Sequence, residues 1–221
     1  MEQHRYGEFI AGTVKNMPFE LAIRTEDIAD QSAKRFALPY DRARTLTNVK
    51  LKRMADRGEI ERLQKGIYCL VKQTAFGKAT PDIDQMVMIA LTEQDGAKIG
   101  YESGASLLNR LGLTTLIPRH IEITTNRYRT KQPERCHIKA RKPPTVITDQ
   151  NWRYLRLIDA VKELPNTHID AENPEQLLAQ YVKNQQLNGL TLILTAHRYY
   201  TQKVVLRVID LLELVYDPGQ H

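Results

Sequence analysis

The sequence predicts an α+β fold in two parts, and three observations carry that reading. A basic, helix-compatible segment at residues 40–58 runs directly into two short alternating strands within 60–71. Further short strand patterns surround one helical segment between residues 97 and 141. From about residue 151 onward, apolar side chains recur at helical spacing. A length of 221 residues suits two small domains or one large one, and 42% hydrophobic with 26% charged residues is the composition of a chain that can bury a core.

Residues 2–16 read as a leading helix, with Tyr6, Phe9, Ile10 and Val14 on one stripe. Residues 19–38 supply the next helix or helices. Thr25 is the expected N-cap there, since its hydroxyl can accept from an orphan amide ahead of Glu26, Asp27 and Ile28. Pro39 disfavours helix before it and suits a helix start after it, with Asp41 complementing the dipole in the first turn. On a 3.6-residue wheel, Ala43, Thr47, Leu51, Met54 and Ala55 share the inward side. Arg42, Thr45, Val49, Lys52, Arg53 and Asp56 face the other way, with Asn48 beside them and Arg44 nearer the packed side.

Gly58 ends that helix, because a left-handed residue costs least at glycine. Residues 60–63 and 67–71 follow as strands joined by Gln64-Lys65-Gly66, and Ile67, Cys69 and Val71 alternate with Tyr68 and Leu70. Helix, helix, basic helix, hairpin is the order of a winged helix-turn-helix domain, here expected over residues 1–74. Residues 72–81, polar and bearing Gly77 and Pro81, are read as the connection to a second domain over 75–221.

That second domain is expected to be mixed α/β. Its predicted elements are a helix over 82–92, a strand at 97–100, a helix from Glu102 to Leu111 closing at Gly112, and strands at 119–125 and 136–141. Pro143-Pro144 breaks the chain. Helices over 151–164, 174–187, 190–199 and 202–215 complete a helical tail. No apolar run approaches membrane-spanning length and MEQHRYGEF is no secretion signal, so the expected location is cytoplasmic, with Cys69 and Cys136 as reduced thiols.

Net charge is +6, and its placement is more informative than its sum. Residues 40–71 carry eight Lys/Arg against four acids. Cations on a rigid helix release the counterions condensed on a duplex, whereas a merely solvated helix face is the plainer meaning of charge alone. The helix–glycine–hairpin order favours DNA. Arg42, Thr45, Asn48 and Lys52 are expected to face the major groove, where Arg and Asn can contact guanine and adenine bidentately and Thr can meet a thymine methyl. Tyr40, Arg44, Arg53, Arg62 and Lys65 are expected to contact backbone or act from the wing. A second basic patch comprises Arg119, Arg127, Arg129, Lys131, Arg135, Lys139, Arg141 and Lys142 against Glu122 and Glu134; it suits nucleic acid, an acidic partner, or water.

No catalytic, metal or cofactor site is expected. Asp82-Ile83-Asp84 resembles a metal-binding carboxylate pair but sits at a helix start, where acids complement the dipole. Glu102-Ser103-Gly104-Ala105-Ser106 lacks the strand context and glycine pattern of a hydrolase elbow and reads as a helix start with a packing glycine. His4, His120, His137, His168, His197 and His221 are scattered, with no ligand spacing. If His120 and His137 lie on paired strands they add pH-dependent charge to the second basic patch. Cys69 reads as a small core hydrophobe, and Trp152, Tyr154, Tyr199 and Tyr200 as helix-packing residues.

Three segments resemble the AbiEi family of bacterial antitoxins: Gly58-Glu59-Ile60-Glu61-Arg62-Leu63 with Lys65-Gly66-Ile67-Tyr68, Tyr101-Glu102-Ser103-Gly104-Ala105-Ser106-Leu107-Leu108 running to Leu111-Gly112-Leu113, and His120-Ile121-Glu122-Ile123-Thr124-Thr125. The likeness spans roughly residues 20–160, and the helical tail after Asn166 departs from it. The resemblance implies a type IV antitoxin that represses its own promoter, often at inverted repeats, and counteracts a toxin of nucleotidyltransferase fold. It also ties the C-terminal domain to antitoxicity and often to DNA. The alternative expectation is a protein-interaction module gripping an acidic partner such as the toxin, without a DNA role. An enzyme acting on a nucleotide ranks third, because no spaced catalytic constellation is present.

Overall fold

The structure, a computed structural model, describes residues 2–216, with side chains from Arg5 onward. The His4 side chain and His221 lie outside the described residues. The fold is mixed α+β and divides into two compact units. One comprises the chain up to Ala90 together with Gln132–Cys136; the other comprises Leu91–Lys131 and the chain from His137 on.

The first unit begins with α1 (Glu2–Lys15), β1 (Ile23–Arg24), α2 (Thr25–Phe36) and α3 (Tyr40–Asp56). The strands β2 (Ile60–Gln64) and β3 (Ile67–Leu70) form a hairpin, and β1 joins it to give a sheet of order β1-β3-β2. Tyr6, Ile10, Ile23, Ile28, Leu51, Met54, Ile60 and Tyr68 meet in one buried core. β3 is the central strand, and Ile67, Tyr68 and Cys69 in succession are all buried, so both of its faces are covered. Cys69 is a free thiol, as a small core residue would be.

Two local expectations are corrected here. Thr25 is the first helical residue and not the N-cap: Arg24 holds the cap position at φ −98° and ψ 126°, and Thr25 Oγ1 is buried without a hydrogen-bond partner. The cause is tertiary, since Arg24 pairs with Ile67 and keeps the backbone extended one residue longer. The connection at 72–81 is itself a hairpin of β4 (Lys72–Thr74) and β5 (Gly77–Ala79), antiparallel with Thr74 opposite Gly77. The following helix, α4 (Ile83–Thr92), contains the division between the two compact units.

The second unit carries a short hairpin of β6 (Glu93–Gln94) and β7 (Ala97–Lys98), then β8 (Gly100–Ser103), α5 (Gly104–Arg110), β9 (Ile121–Thr125) and β10 (Ile138–Arg141). The sheet order is β10-β9-β8, with β8 antiparallel and β10 parallel to β9. The helix expected from Glu102 starts two residues later, because Glu102 and Ser103 pair with Ile123 and Glu122 and stay extended. Helices α6 (Trp152–Glu163), α7 (Pro174–Asn184), α8 (Gly189–Tyr199) and α9 (Gln202–Tyr216) follow, close to the predicted bounds. With α5 they enclose a core that includes Leu108, Ile158, Val182, Leu192, Ala196 and Val208. Among the described residues, no helix is long and apolar enough to cross a membrane.

Candidate nucleic-acid interface

The inward side of α3 anchors it. Ala43, Leu51 and Met54 are fully buried, and the Tyr6 hydroxyl of α1 donates to the Ala43 carbonyl at 2.9 Å and lies 3.3 Å from Thr47 Oγ1. These contacts set which side of α3 is left outside. Tyr40, Arg42, Arg44, Thr45, Asn48, Lys52 and Arg53 are all exposed. Arg44, nearer the packed side on an ideal wheel, is therefore outward as well. Thr45 spends its hydroxyl proton on the Asp41 carbonyl at 2.9 Å. Val49, 45% exposed, sits among the polar residues of the outward side.

Gly58 at φ +71° stops α3, with its own amide donating to Ala55 O at 2.8 Å and the Glu59 amide to Met54 O at 3.0 Å. The chain then enters β2, whose hairpin turn is two residues long, Lys65-Gly66, because Gln64 pairs across a register shift with Ile67. Gly66 supplies the positive φ, +81°. Arg62 and Lys65 are exposed, and Arg62 Nε lies 3.4 Å from the Gln64 carbonyl it donates to.

Between α3 and the two hairpins lies a cleft of about 570 Å³ lined by Asn48, Lys52, Arg62, Lys65 and Lys78, with Asp56 and Glu61 on its walls. Lys78 belongs to β5 and was not expected at the site. The only sequence signal for it was Thr74 and Gly77 spaced as turn residues between Lys72 and Lys78. Among the described residues, none of Lys52, Lys65 and Lys78 is held in an ion pair. Unpaired cations lining one cleft raise the local positive potential there.

The second basic segment is less uniform. Arg135 falls with the first unit and the other seven residues with the second. Arg119, Arg129, Lys131, Lys139 and Lys142 are exposed and Arg127 is half-buried. Arg141 is tied to Glu122 through Nε at 2.8 Å and through Nη2, which neutralises it locally. His120 and His137 lie just before β9 and β10, outside the paired registers. His120 is half-buried with Nδ1 unpartnered.

A second cleft, about 800 Å³, lies within the second unit and is lined by residues that include Ser103, Glu122, Arg141, Asp159 and Tyr200. Glu122 is paired with Arg141 there, and Asp159 with Tyr200. Asp159 accepts from Tyr101 at 2.8 Å and from Tyr200 at 2.9 Å. Burial raises the Asp159 carboxyl above the usual carboxylate range against the opposing pull of those two hydrogen bonds. Burial also pushes both phenols well up. Tyr200 and Trp152 pack as expected, whereas Tyr199 is 39% exposed at the end of α8 and is not a packing residue.

Asp82 Oδ1 accepts from the Asp84 amide at 2.8 Å and the Gln85 amide at 3.3 Å, so it serves the start of α4. The strand-to-helix context missing from the sequence reading of Ser103-Gly104 is present, since β8 feeds α5 directly. The residue at positive φ there is Gly104 (+66°), whose absent Cβ leaves room for Glu122, while Ser103 Oγ is buried and accepts from Thr124 at 2.8 Å. Among the described residues, no three His, Cys, Asp or Glu side chains gather where a metal ion would sit.

Residues 37–188 match the model of a family described as being of unknown function, DUF6088. The chain belongs to that family. The DUF6088 match takes in α3, both hairpins and the β8–β10 sheet, and leaves out α1, β1, α2, and α8 with α9. No curated protein matches this DUF6088 chain.

Proposed function

We propose that this DUF6088 protein binds double-stranded DNA through a winged helix-turn-helix unit, with α3 entering the major groove and the β2–β3 hairpin acting as the wing. The observation that carries this is the outward side of α3, where Arg42, Thr45, Asn48 and Lys52 are exposed beside a cleft lined by Arg62 and Lys65. The element order supports it too: three helices, the third cationic, followed by a hairpin in a three-stranded sheet. Arg42 and Asn48 read base edges, and Tyr40, Arg44, Arg53, Arg62 and Lys65 set register on the backbone.

On the residues similar to AbiEi antitoxins, we assign the DNA role to autorepression in a type IV toxin–antitoxin pair in the bacterial cytoplasm. The functional partner is a toxin of nucleotidyltransferase fold. A gel shift on the region upstream of its own coding sequence tests the DNA reading: preferential binding that weakens with salt supports it. No duplex binding at low ionic strength overturns it. Co-purification with the neighbouring gene product in that case would favour the protein-interaction module. Rescue of growth on co-expression with a neighbouring nucleotidyltransferase-like gene tests the antitoxin role.

A further inference from the structure

The β4–β5 hairpin ends in a two-residue turn, Ala75-Phe76, closed by Thr74 opposite Gly77. The Thr74 hydroxyl donates to the Gly77 carbonyl at 2.8 Å and accepts from the Phe76 amide at 3.2 Å, so the tip has a defined shape. Gly77, at φ +113°, completes the turn. At this tip Phe76 is 103% exposed, shielded by nothing among the described residues. A lone, fully hydrated phenyl group on a pinned turn loses apolar burial that almost any other packing would recover.

The surroundings say what the ring is for. Lys72 and Lys78 flank the tip on the two strands. Lys72 Nζ sits 4.1 Å from the Phe19 ring centroid, which ties the base of the hairpin to the body of the unit. Lys78 lines the same cleft as Asn48, Lys52, Arg62 and Lys65. The residues beside Phe76 in the hairpin are small or polar (Gln73, Thr74, Ala75, Gly77), so the ring stands alone at the tip and does not extend an apolar patch along the hairpin. An exposed aromatic tip rising from a cationic cleft is complementary to a duplex: phosphates meet the lysines, and the ring meets the faces of the bases.

We infer that the β4–β5 hairpin is a second wing, and that Phe76 enters the duplex beside the segment contacted by α3 and wedges between base pairs, unstacking one step and bending the DNA. This deepens the proposed DNA-binding function and rests on it. An apolar side chain inserted at a base step widens the minor groove and kinks the helix away from the protein, and the energy of unstacking is recovered in stacking on the ring.

The experiment uses the full chain with a duplex from the region upstream of its own coding sequence, carrying 2-aminopurine at successive positions and an end-to-end fluorophore pair. Wild-type protein should raise 2-aminopurine emission at one step and shorten the end-to-end distance. Phe76→Ala should abolish both signals and weaken binding about ten- to a hundredfold, while Phe76→Trp retains them. Lys78→Ala should weaken binding with the bend intact. Since the Phe76 side chain is fully exposed, unchanged thermal melting separates this from a folding defect. If wild type binds the duplex but Phe76→Ala binds and bends it equally well, the wedge is wrong and the α3 reading survives. If wild type does not bind duplex at all, both fall. If Phe76→Ala leaves DNA binding untouched but abolishes association with a co-expressed partner, the tip is a protein contact and the inference is overturned.

Discussion

The backbone amide of Thr25 donates to the carbonyl of Gly66 at 2.9 Å, joining the first residue of α2 to the turn of the β2–β3 hairpin. The two residues are far apart in sequence, yet this bond and the pairing of Arg24 with Ile67 place the hairpin turn against the helical part of the unit. A rigid hairpin turn therefore depends on a residue that can hold φ +81°.

Gly66→Val should destabilise the first unit by about 1–2 kcal/mol, because a β-branched residue is strained at that φ. Urea unfolding followed by circular dichroism measures it. An unchanged midpoint would mean that the turn relaxes without cost. Gly58→Ala, at φ +71°, should cost about 1 kcal/mol by the same argument.

Base-reading and backbone residues should separate by salt. Arg42→Ala or Asn48→Ala should lower preference for the cognate site by about 1–3 kcal/mol per lost bidentate contact. Lys65→Ala should instead weaken binding to all sequences and reduce the slope of log K against log salt by about one. Equal effects of all three on a random duplex would remove the assignment of α3 to base edges.

Leu51 and Met54 hold the inward side of α3 with no residual exposure. Leu51→Ala should cost about 2–5 kcal/mol through lost burial and the cavity left behind. Thermal melting reads this directly, and a loss well under 1 kcal/mol would show that α3 is not anchored there.

The Asp159 carboxyl holds its proton to higher pH in the folded chain, because burial penalises the charge. Its contribution to stability is thus full below the ordinary carboxylate range and is lost as pH rises through the raised folded value. Asp159→Asn should flatten the stability profile over that rise, as measured by denaturant midpoints across pH. A profile with the same slope as wild type would contradict the raised value. Tyr101→Phe, which removes one hydrogen bond to Asp159, should cost about 1–3 kcal/mol.

Burial pushes the Cys69 thiol up to about 11, with the nearby Glu61 charge adding to the shift. The native thiol stays protonated at neutral pH and should resist iodoacetamide until denaturant opens the sheet. Mass spectrometry of trapped adducts checks this; prompt native labelling of Cys69 would show that β3 opens readily.

The order and identity of the helices were legible in the sequence, as was the outward set on α3. Periodicity, Pro39 and Gly58 are local signals, and a helix closes its hydrogen bonds within itself, so local residues suffice to define it. What only the tertiary structure decided were pairings between distant segments. Arg24 stays extended because Ile67 pairs with it, Ser103 because Glu122 does, and β3 is central because β1 pairs with the edge that β2 leaves open. The Lys72–Ala79 hairpin, Lys78 on the cleft wall and the bare Phe76 tip belong to the same class. A strand's partner lies elsewhere in the chain, and the exposure of a side chain is set by everything that folds around it.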